Sequence, residues 1–180
     1  LNWPQKNKIL SKYYPSDVLV TGFDIIFFWV ARMIMMGLFF MKKVPFKNIY
    51  IHPLVKDEKG EKMSKSRGNV IDPIEMAEIY GSDSLRFTLA NLSTQGRDIK
   101  LSNKLVENSR NFITKIWNVA RFYEFNDFRL DQKYDFKKNK LPVNNWIILR
   151  LNETKKRILK NLNEYKFNLL LNELYHFVWN

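Results

Sequence analysis

The sequence predicts an α/β half-domain of parallel strands and helices, followed by an all-α helical bundle segment. Residues 18–20 are a short β-branched run, typical of a buried strand, and residues 49–52 indicate a second strand. The strongly apolar residues 25–41 between them indicate a helix. Strand, helix and strand in this order predict two adjacent, parallel strands. After Gly96 the pattern is helical only, so we expect the chain to change from α/β to all-α there.

The first strand is expected to end at a tight turn at Thr21-Gly22, with Asp24 as the N-cap of the apolar helix. Arg32 lies in the middle of that helix, and the segment is short for a bilayer core. We therefore expect a helix buried among other elements, with a membrane span as the alternative.

The rest of the chain follows from turn and cap residues. Residues 56–69 are expected to form a polar loop anchored by Gly60 and Gly68, and Asp72-Pro73 predicts a helix start, with Pro at its first position. Ser82 or Asp83 is expected to cap the next helix. The predicted helices cover residues 73–80, to about 92, 103–125, 143–162 and 168–180, with a polar linker at residues 127–140.

Composition narrows the classes of partner. Thirty Lys and Arg against 18 Asp and Glu give a net charge of +12, which favours a polyanionic partner, either nucleic acid or an acidic membrane surface. The chain has no cysteine, which excludes disulfides and thiolate metal sites, and its two histidines, His52 and His176, accompany no carboxylate motif. We expect no metal site within this chain. Both ends look cut, as in an interior piece of a longer protein.

The residues with the clearest chemistry lie in the polar loop. Lys62 and Lys65 are two ammonium groups three positions apart, with Met63 and the hydroxyl of Ser64 between them and Ser66 after them. Flexible lysines on a loop between glycines can follow phosphate oxygens as negative charge moves onto a leaving pyrophosphate. Composition alone would favour an ordinary solvated hairpin tip.

The ordered string changes that balance. Lys-Met-Ser-Lys-Ser followed by Arg-Gly-Asn, placed after the second strand of a βαβ unit, resembles the signature loop of class I aminoacyl-tRNA synthetases. Four further stretches resemble the valyl branch of that family: residues 19–33, 81–90, 95–99, and 110–112 with 117–118. The isoleucyl branch is the nearest alternative, disfavoured by Phe27-Phe28-Trp29 and Arg97-Asp98-Ile99.

The resemblance implies a Rossmann-like fold and a division into three parts. Residues 1–95 correspond to the C-terminal half of the catalytic domain, residues 96–126 to a stem-contact region with the first long helix, and residues 127–180 to a linker and the start of an anticodon-binding domain.

The resemblance also implies roles for single residues. Lys62 and Lys65 are the expected catalytic residues, and Ile25 and Trp29, four apart on one helical face, are expected to line the amino-acid pocket. The ATP-binding residues it implies are Gly22, Asp24, His52, Lys62, Met63, Ser64, Lys65 and Ser66.

Each of these residues also has a plainer interpretation, as a helix cap for Asp24, a satisfied core histidine for His52, and core packing for Ile25 and Trp29. The sequence departs from the family in having Pro53 where glycine usually follows the histidine. A fixed φ and a missing N–H put close approach of the backbone in doubt there.

The expected partners are valine, ATP with its Mg²⁺, tRNA(Val), and the remainder of the synthetase chain, which would carry a His-rich motif, the editing domain and the rest of the anticodon-binding domain. A cytoplasmic location and an inactive isolated fragment are expected.

The candidate tRNA contacts are Arg110, Lys115 and Arg121, although each alone resembles a solvated charge. Phe112, Ile116, Trp117 and Phe122 are expected to be core residues rather than base-stacking platforms. A non-catalytic RNA-binding module is the alternative of another class.

Overall fold

The structure is a computed structural model that describes residues 3–5, 8–94, 96–129, 135 and 140–179. The chain divides into two compact units, Leu1–Leu54 with Gln95–Arg97, and Val55–Thr94 with Asp98–Asn180. This division follows backbone contacts, and it differs from the functional boundary at residue 95, which stays a prediction.

The first unit is built around two parallel strands. It comprises α1 (Lys8–Tyr13), β1 (Ser16–Gly22), an apolar helix (Phe23–Met41) and β2 (Phe46–His52). β1 and β2 pair in parallel from Ser16↔Phe46 to Gly22↔His52, so their carboxyl ends lie at one edge. The predicted adjacency and direction are confirmed. Both strands are longer than predicted, because the ladder extends beyond the apolar runs into flanking residues, most of them polar.

The start of the apolar helix differs from the prediction. β1 continues through Gly22 and passes into a 3₁₀ turn at Phe23–Ile25, so there is no separate tight turn at Thr21-Gly22. Gly22 occupies the cap position, and Asp24 lies inside the first turn without a capping hydrogen bond. The prediction of Asp24 as N-cap was therefore wrong.

The apolar helix changes winding along its length. Wide π turns at Ile26–Val30 and Gly37–Met41 flank the α-helical segment α2 (Ala31–Met36), and Lys42, with φ 55°, ends the helix. The expectation of a buried helix was wrong: only 11% of its most apolar window is buried, because the two-stranded sheet of this unit offers too little surface to cover it. By length and composition alone, with a mean hydropathy of 1.9, the helix meets the requirements of a membrane span.

The second unit combines a small sheet with helices. Its elements are β3 (Val55–Lys56), α3 (Pro73–Tyr80), α4 (Ser82–Leu92), β4 (Ile99–Lys100), α5 (Asn103–Phe125), α6 (Pro142–Asn163) and α7 (Phe167–Trp179). β3 and β4 pair in parallel. The expectation of an all-α region after Gly96 was wrong at β4, because a two-residue strand leaves no periodic pattern to recognise.

Side-chain caps explain the starts of α3 and α5 in this unit. The Asp72 side chain accepts a hydrogen bond from the Ile74 amide at 2.8 Å, and Ser102 accepts one from the Leu105 amide at 3.4 Å. α4 instead starts after Gly81, whose φ of 88° suits glycine, while Ser82 and Asp83 lie within the helix. The proposed Ser82 or Asp83 cap was therefore wrong. Most of the predicted linker at residues 127–140 lies outside the described residues, as does Asn180.

The core of the second unit joins its sheet to its helices. Phe112 is 1% exposed and lies between the rings of Phe87 and Tyr175, at centroid distances of 5.1 and 4.9 Å. The expected core position of Phe112 is confirmed. Ile116, Trp117 and Phe122 are 40%, 66% and 63% exposed, so the same expectation was wrong for them. The main hydrophobic cluster contains Met76, Leu85, Ile99, Leu101 and Val106.

Candidate functional site

The carboxyl edge of the β1–β2 sheet brings three predicted site residues together. Gly22 and His52 are register partners. A Cβ atom built on Gly22 would lie 3.6 Å from His52 Cε1 and 2.6 Å from Asp24 Oδ1. Gly22 therefore leaves room for the Asp24 carboxylate over the strand end, where open α/β sheets bind their ligands.

The His52 ring is fixed by its neighbour in sequence. Its Nδ1 lies 2.9 Å from the Pro53 carbonyl oxygen. Because a carbonyl only accepts hydrogen bonds, Nδ1 of the neutral ring donates, and Nε2 remains an acceptor. Pro53 is buried, so the departure noted in the sequence lies inside the packed edge.

The two residues assigned to the amino-acid pocket lie on the first turns of the apolar helix. Ile25 ends the 3₁₀ turn and is half-buried, and Trp29 lies in the first π turn with 43% of its surface exposed. Partial exposure of both side chains is compatible with contact to a small ligand. Their role in a pocket stays a prediction.

The Lys62–Ser66 segment, called the signature loop here, lies in the second unit. Lys62 forms an antiparallel backbone bridge with Lys56 of β3. A 3₁₀ turn at Lys65–Arg67 follows, ending at Gly68 with φ 64°. The hydroxyls of Ser64 and Ser66 lie 2.7 Å apart. The loop is thus a defined hairpin extension, with its base joined to the small sheet.

The two lysines of the signature loop are exposed. Within the part of the chain that the structure describes, neither ammonium group forms a hydrogen bond or an ion pair. Met63 and Ser64, between the two lysines, are half-buried. Two cations three positions apart are therefore available to an anionic ligand, as phosphate binding requires.

Sequence reasoning assigned no role to the residue that holds this loop. The Asn69 side chain accepts a hydrogen bond from the Ser64 amide at 2.9 Å and donates to Asp57 Oδ2 at 2.9 Å. It also lies 3.4 Å from the Lys62 carbonyl oxygen. No local sequence signal indicates these contacts, because Asp57 is twelve positions away.

Asp57 is the acidic anchor of that arrangement. Its Oδ1 accepts the Glu61 amide at 2.7 Å. The hydrogen bond from the Asn69 amide, followed by that from the Glu61 backbone, holds the pKa of Asp57 below its ordinary value. Next to the loop lies an open cavity of about 510 Å³. Its lining includes Asp57, Glu61, Arg67, Asn69, Leu101 and Asn103.

Two of the three candidate tRNA contacts also take part in packing. The Arg110 guanidinium lies 5.7 Å from the centroid of the Tyr80 ring, and 3.7 Å from a Glu107 oxygen. Lys115 Nζ lies 4.1 Å from the centroid of the Trp179 ring. Arg121 is exposed on α5. No group of three or more His, Cys, Asp or Glu side chains with metal-binding geometry occurs among the described residues.

Comparison with known proteins identifies the family. The protein-family model described as tRNA synthetases class I (I, L, M and V) matches residues 1–102, more than half of the chain. This chain belongs to the class I tRNA synthetases. A second model, the anticodon-binding domain of tRNA ligase, matches residues 144–180, which cover most of α6 and all of α7.

The curated relatives agree with this assignment. Valine–tRNA ligases of Bradyrhizobium diazoefficiens and Bartonella henselae are 53% and 51% identical over all 180 residues. That of Fervidobacterium nodosum is 53% identical over 99% of the chain. The chain spans about a fifth of the length of these relatives, at 19%, 20% and 21%.

Solved structures agree with the fold. A LeuRS–tRNA–LeuAMS ternary complex from Agrobacterium radiobacter matches 97% of this chain and 23% of its own, with a TM-score of 0.80 and 20% identity. Mycobacterium tuberculosis methionyl-tRNA synthetase in complex with methionyl-adenylate matches 98% of this chain and 35% of its own, with a TM-score of 0.76 and 23% identity. The predicted combination of a parallel-strand half-domain and a helical segment is confirmed.

Proposed function

We propose that this chain is the part of a valine–tRNA ligase that carries the signature loop. The full-length protein would activate valine with ATP to valyl-adenylate and transfer it to tRNA(Val). The observation that carries this proposal is identity of about half of all positions to valine–tRNA ligases along the whole chain. Because the chain covers about a fifth of those relatives, the activity is assigned to the full-length protein, and we expect the isolated chain to be inactive.

Activation joins valine to the nucleotide in one displacement. A valine carboxylate oxygen attacks the α-phosphorus of ATP, a new P–O bond forms, and the bond to the β-phosphate breaks as pyrophosphate leaves. Negative charge grows on pyrophosphate. The exposed Lys62 and Lys65 ammonium groups are suited to stabilise it, because loop lysines can move with the phosphate. Mg²⁺ would arrive with the nucleotide and neutralise phosphate charge.

The edge of the β1–β2 sheet is suited to the nucleoside of ATP. The Asp24 carboxylate can accept hydrogen bonds from ribose hydroxyls, and Gly22 lets the ligand approach the strand end. His52 Nε2, left as an acceptor by the Nδ1–Pro53 contact, can meet an amino group of adenine. Ile25 and Trp29 would bound the pocket for the valine side chain, with the indole as a rigid wall.

The helices of the second unit would meet tRNA. Arg121 is the best placed of the three basic candidates, because Arg110 and Lys115 are already engaged with aromatic rings. Phosphate contacts from such residues would add salt-dependent affinity rather than sequence specificity. A cytoplasmic location follows from the proposed role in aminoacylation and belongs to the same proposal.

The test uses the full-length protein in valine-dependent exchange between ATP and pyrophosphate. Lys65→Ala should slow adenylate formation by about 10²–10³-fold, the effect of removing one donor to developing charge, with little change in valine affinity. Lys59→Ala is the matched control, an exposed lysine in the same hairpin but outside the signature loop. An unchanged rate in Lys65→Ala would contradict the assigned role.

The same assay separates the alternatives. Preference for isoleucine over valine would identify an isoleucyl-type enzyme, and binding to tRNA without any amino-acid-dependent exchange would favour a non-catalytic RNA-binding module. The membrane alternative rests on composition alone, and the apolar helix lies inside the region matched by the synthetase family model.

A further inference from the structure

We propose that Asn69 and Asp57 form a latch that holds the signature loop in a defined conformation, with both residues acting as positioning residues for Lys62 and Lys65. The catalytic consequence rests on the proposed function. The latch itself rests on contacts within the second unit, and the experiment below measures the two separately.

The geometry of Asn69 links three points of the loop at once. Its Oδ1 accepts from the backbone amide of Ser64, in the middle of the signature loop. Its Nδ2 donates to the Asp57 carboxylate and lies 3.4 Å from the Lys62 carbonyl oxygen. One half-buried side chain therefore spans the loop from its first residue to its centre.

Asp57 connects the latch to the small sheet. It follows β3 directly, and its Oδ1 and main chain hold Glu61 and Gly60 in the tight turn before the loop. β3 itself is tied to the residues before α5, since the Leu101 amide donates to the Lys56 carbonyl oxygen and Lys56 Nζ lies 2.7 Å from Asp98. The loop is thus anchored to the packed part of the unit through Asp57.

The roles of the two side chains are chemically distinct. The Ser64 amide requires an acceptor and the Asp57 carboxylate requires a donor, so an amide at position 69 satisfies both at once. Asn69→Asp would place two carboxylates against each other, and Asn69→Ala would leave the Ser64 amide and the carboxylate without this partner.

An exchange of the two residues offers a sharp test. In the double variant D57N/N69D, the amide at position 57 can donate to the carboxylate at position 69, which still accepts from Ser64. The contact near the Lys62 carbonyl is lost, but the main links are re-formed with opposite polarity. Asp57→Asn and Asn69→Asp, each made alone, break the link between the two side chains, and the double variant restores it.

The experiment uses brief tryptic digestion of the full-length protein, with cleavage after Lys62, Lys65 and Arg67 quantified by mass spectrometry. We expect Asn69→Ala and Asn69→Asp to accelerate cleavage about tenfold, the effect of losing about one to two net hydrogen bonds. The double variant should return to within about threefold of the wild type. Asn152→Asp, an exposed position on α6, is the matched control for the charge change and should leave cleavage unchanged.

The catalytic consequence is read by valine-dependent pyrophosphate exchange on the same proteins. Loss of the latch should lower kcat while the KM for valine stays constant, and the double variant should recover kcat. Unchanged cleavage in Asn69→Ala, or a double variant as readily cleaved as Asn69→Asp, would overturn the latch. A wild-type protein without valine-dependent exchange would overturn the proposed function and leave the cleavage comparison intact.

Discussion

Substitution of Gly22 by alanine adds a single methyl group and separates an effect on activity from an effect on stability. Its φ of −77° and ψ of 155° are ordinary for any residue, so Gly22→Ala introduces no backbone strain. Replacing glycine at such a position stabilises a protein by about 0.4–1 kcal/mol through the unfolded chain. Any loss of activity in this variant must therefore come from what the new methyl group meets.

The methyl group meets the Asp24 carboxylate. The Cβ atom would lie 2.6 Å from Asp24 Oδ1, whereas its distances of 3.5 Å to Leu54 and 3.6 Å to His52 are ordinary contacts. To lie at an ordinary contact distance of about 3.5 Å from the new methyl group, the Asp24 carboxylate must move by about 0.8–1 Å. Displacements of about 1 Å cost up to about 10²-fold in rate. We expect kcat/KM for ATP to fall by about ten- to a hundredfold.

The assay is pyrophosphate exchange by the full-length protein over a range of ATP concentrations, together with the midpoint of thermal unfolding. Gly37→Ala is the control, because its Cβ would lie 2.7 Å from the Tyr14 hydroxyl and 3.0 Å from Pro45 Cδ, within the packing of the apolar helix. That variant should lose about 1–3 kcal/mol of stability. Full activity in Gly22→Ala, or a fall in its unfolding midpoint as large as that of Gly37→Ala, would refute the reasoning.

Three further results are expected. Thr88→Val should cost about 1–2 kcal/mol in the free energy of unfolding, because the buried Thr88 hydroxyl lies 2.7 Å from that of Ser109. Adding Ser109→Ala to this variant should cost little more, because the two hydroxyls share one interaction. Additive losses in denaturant titrations would contradict this. The pKa of Asp57 is lowered, so its carboxylate contribution to loop protection is complete above the ordinary value of 3.8 and is lost as pH falls through the lower folded value. Amide exchange of residues 57–69, corrected for intrinsic rates and followed from pH 7 down through the folded value, should show this loss. Asn69→Ala should move its midpoint upward, and an unmoved midpoint would count against the Asn69 contact. Lys115→Ala should lower the free energy of unfolding by about 0.5–1 kcal/mol, because the Lys115–Trp179 contact is lost. An unchanged unfolding midpoint would show that this contact does not stabilise the protein.

Local sequence patterns predicted the elements whose causes are local. The bounds of α5 follow from the Ser102 cap and a long helical period, and they are as predicted. The start of α3 follows from Asp72 and Pro73 in the same way. The parallel pairing of β1 and β2 followed from the order of strand, helix and strand, and it is confirmed.

The features that were missed depend on distant partners. β4 has only two residues and is a strand because it pairs with β3. A segment this short has no sequence periodicity that would predict it. The exposure of Trp117 and of the apolar helix depends on how much surface the neighbouring elements provide, which a periodic pattern cannot state. Asn69 acts across the loop on Asp57, and only the folded backbone brings the two together.

The shortness of β3 and β4 has a thermal consequence. β3 pairs with β4 over only two residues, so β3 can detach at little cost, while Ile99 of β4 stays in the hydrophobic core that the helices share. On heating, the segment that carries Lys62 and Lys65 should loosen well before those helices melt. The full-length protein should therefore lose the proposed valine-dependent pyrophosphate exchange reversibly at temperatures where its circular dichroism is still native, and cooling should restore it.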